Sequence, residues 1–257
     1  MTLHSIHLYP IKSLDPLSVN ATRVTDGGIL EYDRVWAMRD KDGRFVRGKS
    51  NAGVHRIRSR YILPGGYVTL ASGWEQEDYT FRLGEENAAI EGWLEQRLGG
   101  AVQIVTDMDR GFPDDTDAPG PTVVSRATLE TVASWFPGIS LDEIRRRFRP
   151  NLIVDGVPAF WEDRLYTPTA GVEFRIGEVV LTGTNPCARC VVPTRDSMSG
   201  EANTEFMKVF IERRRATLPP WAARERFDHF YRLTVNTIID PDQAGKMIRI
   251  GDAITLR

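Results

Sequence analysis

Two thiols and the arginine between them are the most reactive grouping in this sequence. Cys187 and Cys190 form a C-x-x-C around Arg189, inside the stretch LTGTNPCARCVVPTRDSMSG from Leu181 to Gly200, and they are the chain's two cysteines. An apolar run leads in from Glu178 to Leu181, Asn185-Pro186 signals a turn, and Val191-Val192-Pro193 follows, so the thiols are expected on a loop between strand-like segments. A cation beside a thiol favours the thiolate, the form that binds metals and attacks electrophiles. Several readings share this pattern. A structural zinc site needs four ligands; here it would borrow from His4, His7, His55 or His229, none of which shows ligand spacing. A thioredoxin-type pair should open a helix in a βαβ unit, whereas strand-like segments and a proline flank this one. Two packed, inert cysteines are the plain alternative. A cluster of iron and sulfur takes four cysteines, more than the chain has.

The residues around the thiols narrow these options. PCARCVVPTRDSMSG resembles the signature of the MOSC family, named for the molybdenum cofactor sulfurase C-terminal domain. The resemblance recurs in order along the chain. Tyr9-Pro10-Ile11-Lys12-Ser13 is similar to the family's Y-P-[IV]-K-S, Asp33-Arg34-Val35-Trp36 to its D-R-x-W, Phe148-Arg149-Pro150-Asn151 to F-R-P-N, and Ile176-Gly177-Glu178-Val179 to I-G-[ED]-V. It implies an α+β, β-rich fold: an N-terminal β-barrel-like domain over 1–115, packed on a MOSC β-barrel domain with peripheral helices over 116–257. It also implies a molybdenum cofactor (Mo-molybdopterin) whose metal is held through Cys190, and reduction of N-hydroxylated small molecules, as in amidoxime-reducing components and similar bacterial reductases. A cofactor or sulfur carrier without a substrate of its own uses the same thiol, and a catalytically silent binding protein is a third reading.

A pterin phosphate, with or without a nucleotide extension, asks for anion-binding groups. The resemblance points to Lys12 as a point charge, Ser13 as a hydroxyl donor, Arg34 as a bidentate fork, and Arg149 and Asn151 on either side of a proline. Arg189 could hold thiolate charge or cofactor oxygens. Ser125 and Thr128, at an expected helix N-terminus, would add backbone donors and a favourable dipole. Asp196 stands where the family reads T-x-D-P-x-T-G; here the proline is Ser197 and the later threonine Ser199. Asp196 is therefore either a substrate-facing catalytic acid or the Asx-turn that shapes the loop. Arg145-Arg146-Arg147 reads as a solvated helix face. Arg213-Arg214-Arg215 ends a helix, where cations suit the dipole, and could dock an acidic electron-transfer partner.

The elements that must position these groups follow from periodicity. The first third reads as short strands: Leu3 to Tyr9, Arg34 to Arg39 with a hairpin turn at Asp42-Gly43, Tyr67 to Ala71 and Thr80 to Leu83. The period then changes to that of a helix carrying Ile90, Trp93, Leu94 and Leu98, stopped at Gly99-Gly100, with a strand from Val102 to Thr106. Asp107 to Thr122, acidic and rich in proline and glycine, reads as a long loop or domain linker, open to being mobile. Ser125 caps one helix, and Ser140 with Glu143 caps the next, which ends near Pro150. Strands are expected over Asn151 to Val154, over Val172 to Leu181 as a hairpin at Gly177, over Phe230 to Ile239 and over Met247 to Leu256 around Gly251-Asp252. A helix is expected from Asn203 to Arg215.

With 41% hydrophobic residues and a net charge of −2, the chain has an ordinary core and no general attraction for nucleic acid or an anionic membrane. No stretch has the length of a membrane span, and the start lacks a signal peptide's basic end and apolar run; a cytoplasmic protein is expected. Two cysteines and no G-x-G-x-x-G leave no internal iron–sulfur or dinucleotide relay. A reductase of this type is therefore expected to take electrons from a separate donor protein of ferredoxin or haem type.

Overall fold

The computed structural model describes residues 1–73 and 77–256. In chain order the strands and helices are β1 (Thr2–Leu8), β2 (Leu17–Val19), β3 (Ala21–Arg23), β4 (Trp36–Arg39), β5 (Ile57–Ile62), β6 (Tyr67–Ser72), β7 (Tyr79–Arg82), α1 (Asn87–Leu98), β8 (Gln103–Thr106), β9 (Val123–Ser125), α2 (Arg126–Ser134), α3 (Leu141–Phe148), β10 (Leu152–Asp155), β11 (Val172–Ile176), β12 (Val179–Ala188), α4 (Phe206–Ala216), β13 (Arg232–Ile238), β14 (Met247–Arg249) and β15 (Ile254–Leu256). This is the β-rich α+β chain expected. The largest sheet has eight strands in the order β15-β11-β12-β13-β9-β10-β1-β2; a three-stranded sheet β5-β6-β7 and the pairs β14-β3 and β4-β8 complete the set. Among the described residues these orders are open rather than closed rings. Among the same residues, no helix is long and apolar enough to cross a membrane.

The large sheet is mostly antiparallel, with β9 and β10 parallel, and both of its faces are covered. Val123, Leu152, Val154 and Val235 enter one core with Phe174 and Leu181. Their neighbours Val124 and Ile153 point the opposite way, into a core shared with α2, α3 and α4, as the two-residue period of a strand requires; Leu233 joins that core because β13 is irregular at Thr234, whose φ is 67°. This second core is aromatic: Phe136 stacks on Phe206 at 4.2 Å, and Phe210 meets Phe148 and Tyr231. Burying Phe206 and Phe210 fully contributes roughly 1.5–3 kcal/mol each, which is what holds α4. A third core lies in the N-terminal half, where α1 buries Ile90, Trp93 and Leu94 against Met38 and Ile104. Gly99, at φ 74°, ends that helix in the left-handed region.

Four features depart from sequence expectation. β12 runs through Asn185-Pro186, so the supposed turn lies inside a strand. The ladder to β13 slips on both sides of it, which accommodates a residue that has no N–H to donate. β5 carries arginines at alternate positions, which mask its strand pattern in the sequence, yet its Ile57, Ser59 and Tyr61 are buried. The closing strands separate, with β14 pairing β3 and β15 pairing β11. The acidic 107–122 segment is tied down: Phe112 N–H donates to Arg34 O at 2.8 Å, and Gly120 N–H to Thr237 O at 2.9 Å. β1 hydrogen-bonds to β10, so the first strand of the chain belongs to the sheet of its C-terminal half.

Candidate functional site

A cavity of about 520 Å³ is lined by Lys12, Ser13, Arg34, Arg149, Arg189 and Cys190, which come from distant parts of the sequence. Its volume lies in the range of small-molecule and cofactor sites. Three of these residues have left-handed backbone: Ser13 at φ 78°, Arg34 at 55° and Arg149 at 52°. For residues with a Cβ this costs on the order of 1–3 kcal/mol each. Local bonds hold it in place. Arg34 N–H donates to Tyr9 O, and Arg149 N–H closes α3 onto Arg145 O, both at 2.9 Å. Pro150 disfavours continuing the helix beyond that point. Strain gathered on one cavity marks it as the place where side-chain direction matters.

The wall is strongly cationic. Ten lysines and arginines line it against three aspartates, in a chain whose overall charge is −2. The buried Lys12 ammonium donates to Phe112 O at 2.8 Å and to Asp114 at 2.6 Å, leaving one N–H for a ligand. Burial lowers its pKa and Asp114 opposes the shift. Burial would raise Asp114, but Arg34 and Lys12 outweigh it and hold the carboxyl at about 2. Burial likewise works against the charge on Arg34, and Asp33 and Asp114 more than restore it. Arg149 lies 4.0 Å over the Tyr9 ring and donates to Leu14 O at 2.7 Å; its burial lowers its pKa.

Both cysteines are free thiols. Cys190 is exposed on the cavity, while Cys187 is half-buried at the end of β12. Arg189 donates to Phe148 O at 2.6 Å and to Cys187 Sγ at 3.2 Å, while its buried Nε has no partner among the described residues. The arginine's direct contact is thus with Cys187 rather than Cys190. Among the described residues no group of three or more His, Cys, Asp or Glu could hold a metal ion. A metal here would combine a cysteine thiolate with ligands brought from outside the chain. Soft thiolate, unpartnered guanidinium N–H and a cationic wall suit a soft metal carried on an anionic, phosphate-bearing ligand.

Four expected site residues lie outside this cavity. Ser125 and Thr128 are fully buried. Ser125 N–H and the Thr128 hydroxyl both donate to Glu162 Oε2, at 3.2 and 3.0 Å, so the N-terminus of α2 is already filled by the protein's own carboxyl group. Asn151 is buried with every bonding position used. Its amide N–H groups donate to His7 O and Asp33, and its Oδ1 accepts from Thr122 N–H and hydroxyl. Nothing remains for a ligand; Asn151 instead braces the segment carrying Arg34. Asp196 Oδ1 accepts from Met198 N–H, Ser199 N–H and the Ser199 hydroxyl. Burial opposes its charge, but these bonds keep its pKa below the usual value. It is the turn-forming residue, and an ionised carboxylate held this way is no proton donor. Two arginine runs also differ from expectation. Arg147 is buried, paired with Glu143 at 2.6 Å, and lines the cavity. Arg214 is 1% exposed and paired with Asp163 at 2.6 Å, so it is unavailable to any partner.

The cavity also has residues that sequence reasoning missed: Arg47, Lys49, His55, Arg58 and Arg195, with Asp114 and Asp115 from the supposed linker. The signal was present in Arg44-Phe45-Val46-Arg47-Gly48-Lys49, where cations alternate with apolar or small residues beside a hairpin turn.

Residues 1–101 match the MOSC N-terminal beta barrel domain, and residues 122–255 match the MOSC domain. Molybdenum cofactor sulfurase of Drosophila grimshawi is 26% identical over 237 residues, covering 80% of this chain and 29% of the fly protein. The rice enzyme of the same name (Oryza sativa subsp. japonica) is 22% identical over 244 residues, 77% of this chain and 29% of its own length. Mitochondrial amidoxime reducing component 2 of Rattus norvegicus is 26% identical over 237 residues, covering 77% of this chain and 68% of the rat protein. The chain therefore spans under a third of the sulfurases it matches.

Proposed function

Because the chain belongs to the MOSC family and carries that family's N-terminal beta barrel domain as well as the MOSC domain, we propose that it is a molybdenum-cofactor oxidoreductase that reduces N-hydroxylated small molecules, with the metal held through Cys190. The supporting observation is Cys190, an exposed thiol on a cavity walled by cations. Lys12 offers its remaining N–H to a cofactor phosphate, Ser13 a hydroxyl, and Arg34 and Arg149 a guanidinium each. Arg189 fixes the loop by bridging Cys187 and Phe148 O. Asp114, held ionised, orients Lys12 and passes no proton. When bound, the cofactor supplies a two-electron centre, so that R–NH–OH takes up two electrons and two protons and leaves as R–NH2 and water. The electrons come from a separate donor protein docking transiently near the cysteine loop. The likeness to the amidoxime reducing component, which extends over 68% of that protein, supports this reading. The likeness to sulfurases favours the second reading, a cofactor- or sulfur-handling protein.

Metal analysis and turnover test it together. Protein purified from cells that make the cofactor should contain molybdenum and reduce benzamidoxime with a reduced viologen donor, yet stay idle with NADH alone. Full molybdenum loading with no turnover from any low-potential donor would favour the carrier.

A further inference from the structure

The cavity holds more positive charge than one cofactor phosphate would use, and the surplus is gathered in one place. Half of its lining cations have no carboxylate within ion-pair distance among the described residues. Arg149 and Arg189 are two of them, assigned above to the cofactor and the cysteine loop. The other three are Arg47, Lys49 and Arg195.

The two chain segments that carry these three, 47–49 and 195–200, meet at His55. Gly48, between Arg47 and Lys49, sits so close that a Cβ there would fall 2.6 Å from His55 Nε2. From the other side, a Cβ on Gly200 would fall 3.2 Å from His55 Cβ and 2.8 Å from Ala52 O. Arg195 is tied to that same glycine, its Nη1 donating to Gly200 O at 3.0 Å. Both cationic segments can close on one imidazole only because each has a glycine at the contact. Among the described residues the buried Nε atoms of Arg47 and Arg195 have no hydrogen-bond partner, so neither guanidinium is fully used by the protein's own acceptors. Burial first, and the guanidiniums of Arg149, Arg195 and Arg58 after it, lower the pKa of His55, so the ring is neutral at pH 7 and adds no further charge. The cluster adjoins the cofactor side of the cavity: Arg47 lies 6.0 Å and Lys12 5.5 Å from the same Phe45 ring.

We infer that Arg47, Lys49 and Arg195 form a second oxyanion subsite, and that the substrate is an N-hydroxylated compound which itself carries a carboxylate or a phosphate. This rests on the reductase reading for what the substrate undergoes, but not for what the subsite binds. Guanidinium forks give such an anion both affinity and orientation. Substrate bound there would be held by its charged end, with the N–OH end free to reach toward Cys190.

The test compares benzamidoxime with its 4-carboxy and 4-phosphono derivatives, using molybdenum-loaded protein and reduced viologen. At least one charged substrate should exceed the neutral one about tenfold in kcat/KM, and the better of the two identifies the preferred anion. In Arg47→Gln combined with Arg195→Gln that ratio should fall toward 1. Arg47→Gln alone, which leaves the Arg195–Gly200 contact in place, gives the same comparison if the double variant folds poorly. A second readout needs no turnover: calorimetric titration of 4-carboxybenzamidine and 4-phosphonobenzamidine into the loaded protein, where the double variant should bind the preferred one about tenfold more weakly. Equal kcat/KM for charged and neutral substrates overturns the inference. If no amidoxime is reduced, the titration decides it. Affinity lost in the variant upholds the anion subsite and sinks the reductase reading, whereas unchanged affinity overturns the subsite.

Discussion

Arg189 turns its guanidinium onto Cys187, 3.2 Å from the sulfur, and leaves Cys190 exposed on the cavity. The two thiols are therefore not equivalent, although both are bracketed by the same motif. Both line the cavity, but Cys187 is half-buried and already engaged by Arg189, while Cys190 is exposed. An alcohol is a far poorer ligand than thiolate for a soft metal, so Cys190→Ser should lose about nine-tenths or more of the molybdenum per chain, and Cys187→Ser should keep most of it. Mass-spectrometric metal analysis of both variants decides this; equal losses, or a loss confined to the Cys187 variant, would falsify the assignment. Ser13, Arg34 and Arg149 tell the same story through the backbone. Each sits in a left-handed conformation that glycine would adopt more easily, so it is the side chain that the position requires.

The loop between β12 and α4 is an element in its own right, shaped by one carboxylate and latched by another. Asp196 gathers the N–H groups of Met198 and Ser199. Glu143, on α3, accepts from Ser197 N–H at 2.9 Å while pairing with Arg147. Across the gap, Arg56 and Arg58 donate to Ser199 O and Ser197 O. The loop is thus pinned from both halves of the chain. Asp196→Asn keeps an oxygen acceptor for the same N–H groups, so viologen-driven turnover should stay within a few-fold of the parent. Glu143→Ala removes the nearer of the two carboxylates beside the buried Arg147, leaving only Asp196 at 3.8 Å, and should destabilise the fold by about 1–3 kcal/mol. Urea midpoints and turnover rates for both variants check this. A hundredfold fall in turnover for Asp196→Asn, without loss of molybdenum, would restore Asp196 as a catalytic acid.

At the scale of the molecule, the eight-stranded sheet and its helical layer meet around a buried charge network. Asp163 pairs with Arg214, whose guanidinium lies 4.2 Å over the Phe160 ring. Beside them Glu162 accepts from Ser125 and Thr128, but its Oε1 has no partner. Burial, and after it the charge of Asp163, pushes the Glu162 pKa up to about 7. A carboxyl raised above its unfolded value stabilises the fold while protonated. Its contribution is complete below about 4.5, the ordinary glutamate value, and is lost as pH rises through about 7. Glu162→Gln removes that ionisation while keeping an acceptor oxygen. It should raise stability above pH 7 by on the order of 3 kcal/mol and flatten the pH dependence between 5 and 8. Thermal unfolding midpoints across that range measure it, and a variant as pH-dependent as the parent would show that Glu162 is not the titrating group.

What could be read from sequence alone was what depends on neighbours along the chain. The types and spacing of the cysteines, the cap at Ser125, the end of α3 before Pro150 and the aromatic spacing of α4 are all local, because turn chemistry and helix period act over a few residues. Lys12, Ser13, Arg34 and Arg149 stood out only through short motifs that resemble the family's, and it is the fold that brings them to one cavity. Tertiary structure alone decided which charges meet. Ser125 and Thr128 look like an anion site until Glu162 arrives from another segment to fill it. Arg147 looks like part of a solvated helix face, and Arg214 like a helix-end cation open to an acidic partner, until Glu143, Asp163 and the rings of Phe206 and Phe160 enclose them. Arg47 and Arg195 look unrelated until two glycines let their segments close on His55. A residue's chemistry is set by its type, but its ionisation, its partners and its access to a ligand depend on groups brought within a few ångströms by the fold.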